Sequence, residues 1–420
     1  MSPPTTARQS FSTRTTWIIL TLLVISGFLN YFDRSNLSVG ATDIQRELHL
    51  NNEQLGMLLS AFFWTYAASQ LFLIAGWMVE RFHVSWILAG GFFLWSGATA
   101  LTGAAHAFSV LFAMRLLLGM GESIAYPSYS RILANDFPEE HRGFANAAID
   151  AGTKMGPALG TLIGGLLMVR YGWRAFFVGL GFSSFLWLIP WMIWMPRGKH
   201  LASRQGPHDC PSVFQIFRHR SAWSSALGLF CGNYLWYFLI TWLPAYLETE
   251  RHFSKTRMAV FASLPFCATA LSALIAGRAS DHLIARGHTP TVVRKGFAGV
   301  GLALSTLILL VAVVRDDRVA MAVLIFVSVC FGLYTANLFA ITQTLAGPRA
   351  AGKWTSVQNG FGNLAGVVAP WLTGFVVQQT GQFYLAFLVT AAVALAAAGF
   401  FVLGIGPVRE ICFDPGYERR

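Results

Sequence analysis

The sequence predicts an all-α membrane protein of about twelve transmembrane helices, arranged as two pseudo-symmetric six-helix bundles. Three observations carry that prediction. Of the 420 residues, 55% are hydrophobic and only 12% charged, against about 25% charged in a soluble domain. Charge is absent from residues 17–32, 87–114, 175–196 and 382–408, each near or above the ~20 apolar residues that cross a bilayer as a helix. The two halves also echo each other: Gly76-x-x-x-Glu80 and Gly277-x-x-x-Asp281 lie about half the chain apart. Composition of this kind excludes a soluble enzyme carrying a single anchor.

The elements follow in order. The first apolar run follows Arg8 and Arg14, as a signal peptide would. No small-residue cleavage site follows it, and NYFDRSNL continues the segment; the run reads as an uncleaved first helix. Gly76-x-x-x-Glu80 closes the second helix, and Arg115 to Glu122 lies on the fourth. The fifth is glycine-rich with an interior proline (Gly152, Gly156, Pro157, Gly160), and the eleventh repeats that pattern in Gly362, Gly366, Pro370 and Gly374. The longest polar interruption, 196–220, separates the bundles. The expected boundaries are a tail at 1–16, bundles at 17–195 and 221–405, the central loop at 196–220 and a tail at 406–420. Duplicated halves are a transporter feature, with the substrate held between them.

The net charge of +11 is an orientation signal. Assigning loops alternately to two sides puts most Lys and Arg on the side of the N-terminal tail, so both termini are expected in the cytoplasm of a cell inner membrane. No nucleic-acid partner is implied. The five cysteines are scattered without a CxxC pair and read as packing residues. No metal, cofactor or nucleophile–base motif appears, so the chain does not read as an enzyme.

Six ionisable residues fall within spans: Asp33, Arg34, Arg115, Glu122, Asp150 and Lys154. A charge facing lipid is costly, so these should face the interior and pair. Asp33 and Arg34 diverge by about 100° on a helix and can address different partners, a proton and an anion; the alternative is a structural ion pair with Asp33 as the counter-charge of Arg34. Arg115 and Glu122 share one face, either as a coupling pair or as a packing pair. Asp150 and Lys154, at i,i+4, read first as a local pair, although Lys154 can reach a substrate carboxylate. The C-terminal half offers neutral groups: Asn233, Tyr234, Tyr237, Gln358, Asn359 and Asn363. Amides and phenols suit ligand hydroxyls, and they also make ordinary interhelical hydrogen bonds.

GWMVER (76–81), GRASDH (277–282) and RLLLGMGE (115–122) resemble the loop and fourth-helix motifs of the major facilitator superfamily. NYFDRSNLS, RLLLGMGESIAYPSYSRILANDFPEEHRG, WLPAYL and VQNGFGNLAGVVAPWLTGFVV are similar to its anion:cation symporter branch, which includes hexuronate, aldonate and glucarate importers. The resemblance covers about residues 17–405. It implies that Asp33 and Glu122 couple protons with Arg115 beside them, and that Arg34 holds the substrate carboxylate. Tyr31, Tyr66 and Gln70 would line one half of the site, Asn359 and Asn363 the other. The run Gly143, Gly152, Gly156, Pro157, Gly160 is also similar to the fifth-helix motif of drug:proton antiporters, with Thr161 in place of a final glycine. The expected function is proton-coupled import of a small organic anion by a monomer, sugar acids leading, with the proton gradient in place of any cofactor. A drug or organic-ion antiporter, an importer of aromatic carboxylates and a channel are the alternatives.

Overall fold

The computed structural model describes residues 13–72, 74–136, 139–195, 211–411 and 413. The tail at 1–12, the central-loop residues 196–210 and the tail residues 412 and 414–420 lie outside the described residues. No strand occurs among those described.

Among the described residues, ten stretches are long and apolar enough to cross a membrane. One of them, Ala148–Trp194, holds two helices parted at Gly172. The two pieces Asn52–Leu71 and Ile74–Arg81 add a further helix, giving the expected twelve. The first six are α1 (Thr13–Val39), α2 (Asn52–Leu71 and Ile74–Arg81), α3 (Val84–Gly103), α4 (Phe108–Ser123 and Ala125–Asp136), α5 (Glu139–Leu159, continuing to 171) and α6 (173–185 and Leu188–Trp194). The second six are α7 (Arg220–Thr249), α8 (Lys255–Ala285), α9 (Pro290–Ser305 and Ile308–Val313), α10 (317–346), α11 (348–380) and α12 (Tyr384–Gly399).

Local chemistry sets the breaks. Gly172 has φ 77° and Gly347 has φ 60°, values that cost a residue with a Cβ and that glycine adopts freely. Each turns the chain between two long helices. Asn51 starts α2 with a capping box: its side chain accepts from Gln54 N at 2.7 Å, and Gln54 Oε1 accepts from Asn51 N at 3.0 Å. Thr289 caps α9 with Pro290 in the first turn, where a missing N–H costs nothing.

Inside the first bundle, Phe92 stacks on Trp187 at 4.1 Å and Trp187 on Trp191 at 5.0 Å, fastening α3 to α6. Both indoles are satisfied, by the carbonyls of Leu22 and Ser85. Leu271, Leu274, Ile275, Phe182 and Leu403 are exposed, which a bilayer requires of the outer surface.

Lipid gives apolar side chains little reason to cluster, so helices associate where small residues let backbones approach. The glycines of α5 do this against α1. A Cβ on Gly152 would lie 2.9 Å from Val24 O, on Gly156 2.9 Å from Phe28 O and on Gly160 3.0 Å from Phe32 O. The stripe that resembled an antiporter motif is the α1–α5 contact. Its analogue on α11 differs. Gly362 meets Leu229 of α7, but Gly366 meets Phe63, and Gly374 and Gly56 pack together, on α2 of the other bundle.

The bundles therefore meet along two seams, α2–α11 and α5–α8. On the face that holds the turns after α1 and α7, Gly165 packs on Ala259 of α8. There Thr42 donates to Glu248 at 2.5 Å, Asp43 pairs with Lys255, and Asn52 N donates to Gln378 Oε1 at 3.0 Å.

Candidate functional site

The α1–α5 contact fixes the height and rotation of α1, and so aims Tyr31, Asp33 and Arg34. Arg34 points toward α2 and α4. Its Nε donates to Glu122 Oε2 at 2.8 Å, with side chains 2% and 0% exposed. The guanidinium carbon lies 4.4 Å from the Tyr31 ring centroid, 4.7 Å from Phe62 and 4.5 Å from Tyr66. Three aromatic faces and one carboxylate thus surround it, an arrangement that favours a planar cation. Arg34 Nη2 and Glu122 Oε1 find no hydrogen-bond partner among the described residues, so each keeps capacity for a further group.

Asp33 turns the other way, and its Oδ2 accepts from Thr99 of α3 at 3.2 Å while Oδ1 has no partner among the described residues. This corrects the expected Asp33–Arg34 compensation: the counter-charge of Arg34 is Glu122. Residues adjacent on a helix diverge, and the divergence sends the two charges to different neighbours. The expected Arg115–Glu122 pair stands within electrostatic reach without a direct ion pair. Seven residues share a face but stand ~10 Å apart along the axis, and the bonded oxygen of Glu122 goes to Arg34. Arg115 lies with its guanidinium carbon 5.5 Å from the Phe62 ring centroid, its Nε without a partner among the described residues.

Gln70 borders this cluster, donating to Ser123 O at 3.3 Å. Across the seam, Phe63 meets Tyr237 of α7 with centroids 4.3 Å apart. The Tyr237 hydroxyl donates to Asn363 Oδ1 at 2.6 Å, and Asn363 Nδ2 donates to Asn359 O at 2.8 Å. The structure so brings Tyr31, Arg34, Tyr66, Gln70 and Glu122 together, and links them through Phe62 and Phe63 to Tyr237 and Asn363. Tyr234 is buried on α7, three residues before Tyr237. Gln358 stands apart: fully buried, it accepts from Thr342 at 2.7 Å and donates to Ser225 O at 3.3 Å. In this structure it ties α7, α10 and α11. Lys154 pairs with Asp150 on its own helix.

Sequence reasoning missed Phe62, which lies under both guanidinium groups, and Thr99, the partner of Asp33. A Phe62-Phe63 dipeptide on an apolar helix carries no polar signal. No group of three or more His, Cys, Asp or Glu side chains among the described residues could hold a metal ion.

The model of the Major Facilitator Superfamily matches residues 23–370. The chain belongs to that superfamily. It is a multi-pass membrane transporter, not an enzyme. It is 30% identical to a probable sulfoacetate transporter of Cupriavidus necator, over 96% of this chain and 94% of that one. With a probable galactarate/D-glucarate transporter of Bacillus subtilis the identity is 28%, over 94% and 93%. Among solved structures, a bacterial homolog of the human lysosomal transporter Spinster superposes with TM-score 0.81 at 19% identity, covering 94% of this chain and 98% of that one. A D-xylose-proton symporter gives TM-score 0.74 at 12% identity, covering 94% and 98%; both likenesses concern the fold.

Proposed function

We propose that the protein imports a small organic anion, a sugar acid or related acid, together with protons by alternating access. The carrying observation is the buried Arg34–Glu122 pair, in which each partner keeps one unsatisfied polar atom. While Glu122 is ionised it neutralises Arg34. A proton on Glu122 removes that counter-charge, and an incoming carboxylate or sulfonate can then take the guanidinium. Proton and anion favour each other's binding, which is the thermodynamic content of symport. Asp33, held by Thr99 outside the aromatic box, and Arg115 complete the coupling group. Tyr237, Asn359 and Asn363 supply neutral donors and acceptors for hydroxyls on the far wall. The names of the relatives, galactarate/glucarate and sulfoacetate transporters, support an anion as cargo. We place both termini in the cytoplasm of an inner membrane and take the monomer as the working unit.

The test is uptake of labelled glucarate, a hexuronate and sulfoacetate into proteoliposomes. Accumulation of at least one acid only when the outside is acidic is the expected result. Accumulation insensitive to the proton gradient, or no uptake of any acid, overturns the reading.

A further inference from the structure

The in-span charges differ in one respect. Asp33, Arg34, Arg115 and Glu122 are each at most 4% exposed, whereas the side chains of Lys154 and Asp150 are 27% and 58% exposed. The direction they face is set by their helix. Gly152, Gly156 and Gly160 turn toward α1. Lys154 lies off that stripe, and the π-helical turn Gly160–Gly164 carries the helix on to Gly165, which packs on Ala259 of α8 in the second bundle. Asp150, one turn before Lys154, lies off the stripe as well. It is close enough to the hydroxyls of Tyr31 and Tyr126 to act on them electrostatically, and Tyr31 is one of the rings that box Arg34. The pair stands beside the Arg34 box, on the helix that packs against both α1 and α8 of the second bundle.

We propose that Lys154, released from Asp150, is a second anion-binding group of the transport site, and that the substrate it selects is a dianion. This rests on the anion-transport reading above and names its substrate class. Arg34 is hemmed by three rings and Glu122, so it has room for one acid group of a ligand. A second acid group needs a second cation. The other bundle supplies none along 221–249, 319–346 and 354–380, which contain no lysine or arginine. Arg115 lies against Phe62 with almost no exposed surface. Lys154 has a flexible stem and three donors, and a half-exposed carboxylate is a weak hold on it. Asp150, once released, stays in contact with water. An aldarate, with one acid group at each end of a four-carbon chain, suits two cations that stand apart.

Two probe pairs test this, each differing by one acid group: glucarate against gluconate, and sulfoacetate against methanesulfonate. Affinities are measured on the purified full chain by displacement of a labelled ligand. Lys154→Gln should lower the dianion-to-monoanion affinity ratio by about tenfold or more, and Lys154→Arg should restore most of it. Asp150→Asn should raise the ratio, because the competitor for the ammonium is gone. A ratio in Lys154→Gln equal to that of the parent overturns the inference even if uptake is normal. Discrimination confined to the sulfonate pair would sink the sugar-acid reading while leaving the second cation in place. A parent that binds none of the four probes overturns both.

Discussion

At Arg34, geometry decides which substitutions matter. A lysine there keeps the charge but loses the flat face that lies 4.4 to 4.7 Å from three ring centroids, and it cannot hold both oxygens of an acid group. Arg34→Lys should insert and fold, yet lose ~10- to 100-fold in substrate affinity, the worth of a charged hydrogen bond; ligand binding to purified protein measures it. Glu122→Gln should leave anion exchange measurable and abolish accumulation driven by a pH gradient, because the exchangeable proton is gone. Concentrative uptake by that variant would move coupling to Asp33 alone. A second carboxylate matters for stability. Outside the spans, Glu47 accepts from Arg174 Nε at 2.9 Å and from Trp173 Nε1 at 2.7 Å. The Arg174 bond first, and then Trp173, holds its carboxyl below the usual carboxylate range. A lowered folded-state value means the contribution is present above the unfolded value of about 4.3 and is lost as acid titrates the folded carboxyl. The side chain is 47% exposed, so Glu47→Gln should cost under ~1 kcal/mol at neutral pH. Thermal unfolding of parent and variant in detergent should converge as the pH falls below about 4.

The decisive helix contact is α1 on α5. A Cβ on Gly156 would lie 2.6 Å from Tyr31 Cβ and 2.9 Å from Phe32 N, so α1 must move to accept any side chain there. Gly156→Val should destabilise by ~1–3 kcal/mol, as overpacking does, and should weaken substrate binding by displacing Tyr31 and Arg34; thermal unfolding and ligand titration read the two effects separately. How legible such contacts were in the sequence depended on their range. The glycine spacing on α5 is local and was readable, as was the i,i+4 pair of Asp150 and Lys154. Arg34 declared itself as a mid-span charge. Its partner did not, because pairing Arg34 with Glu122 depends on how α1 and α4 are rotated against each other across 88 residues of chain. The engagement of Gln358 with Thr342 and Ser225 was hidden for the same reason, since a buried amide reads alike whether it faces a ligand or a neighbouring helix.

For the whole molecule, the question is what holds the two bundles in this arrangement. The face that holds the turns after α1 and α7 is fastened by Asp43 with Lys255, Thr42 with Glu248, and Asn52 with Gln378. None was visible in the sequence, since Thr42 and Glu248 lie 206 residues apart. These contacts must break if the bundles rock open on that face, so they bias the equilibrium between the two access states by their own free energy and no more. The Asp43 and Lys255 side chains are 25% and 26% exposed, which puts their pairing at about 1 kcal/mol. Lys255→Glu replaces attraction by repulsion and should shift the population toward opening on this face by roughly fivefold to tenfold. The double variant Asp43→Lys with Lys255→Glu restores opposite charges and should shift it back. Single cysteines placed on the two sides of this seam and reacted with a membrane-impermeant thiol reagent would report both changes. Equal labelling rates in the parent, the single and the double variant would show that the tight glycine contacts, Gly56 with Gly374 and Gly165 with Ala259, hold this face closed without help from charge.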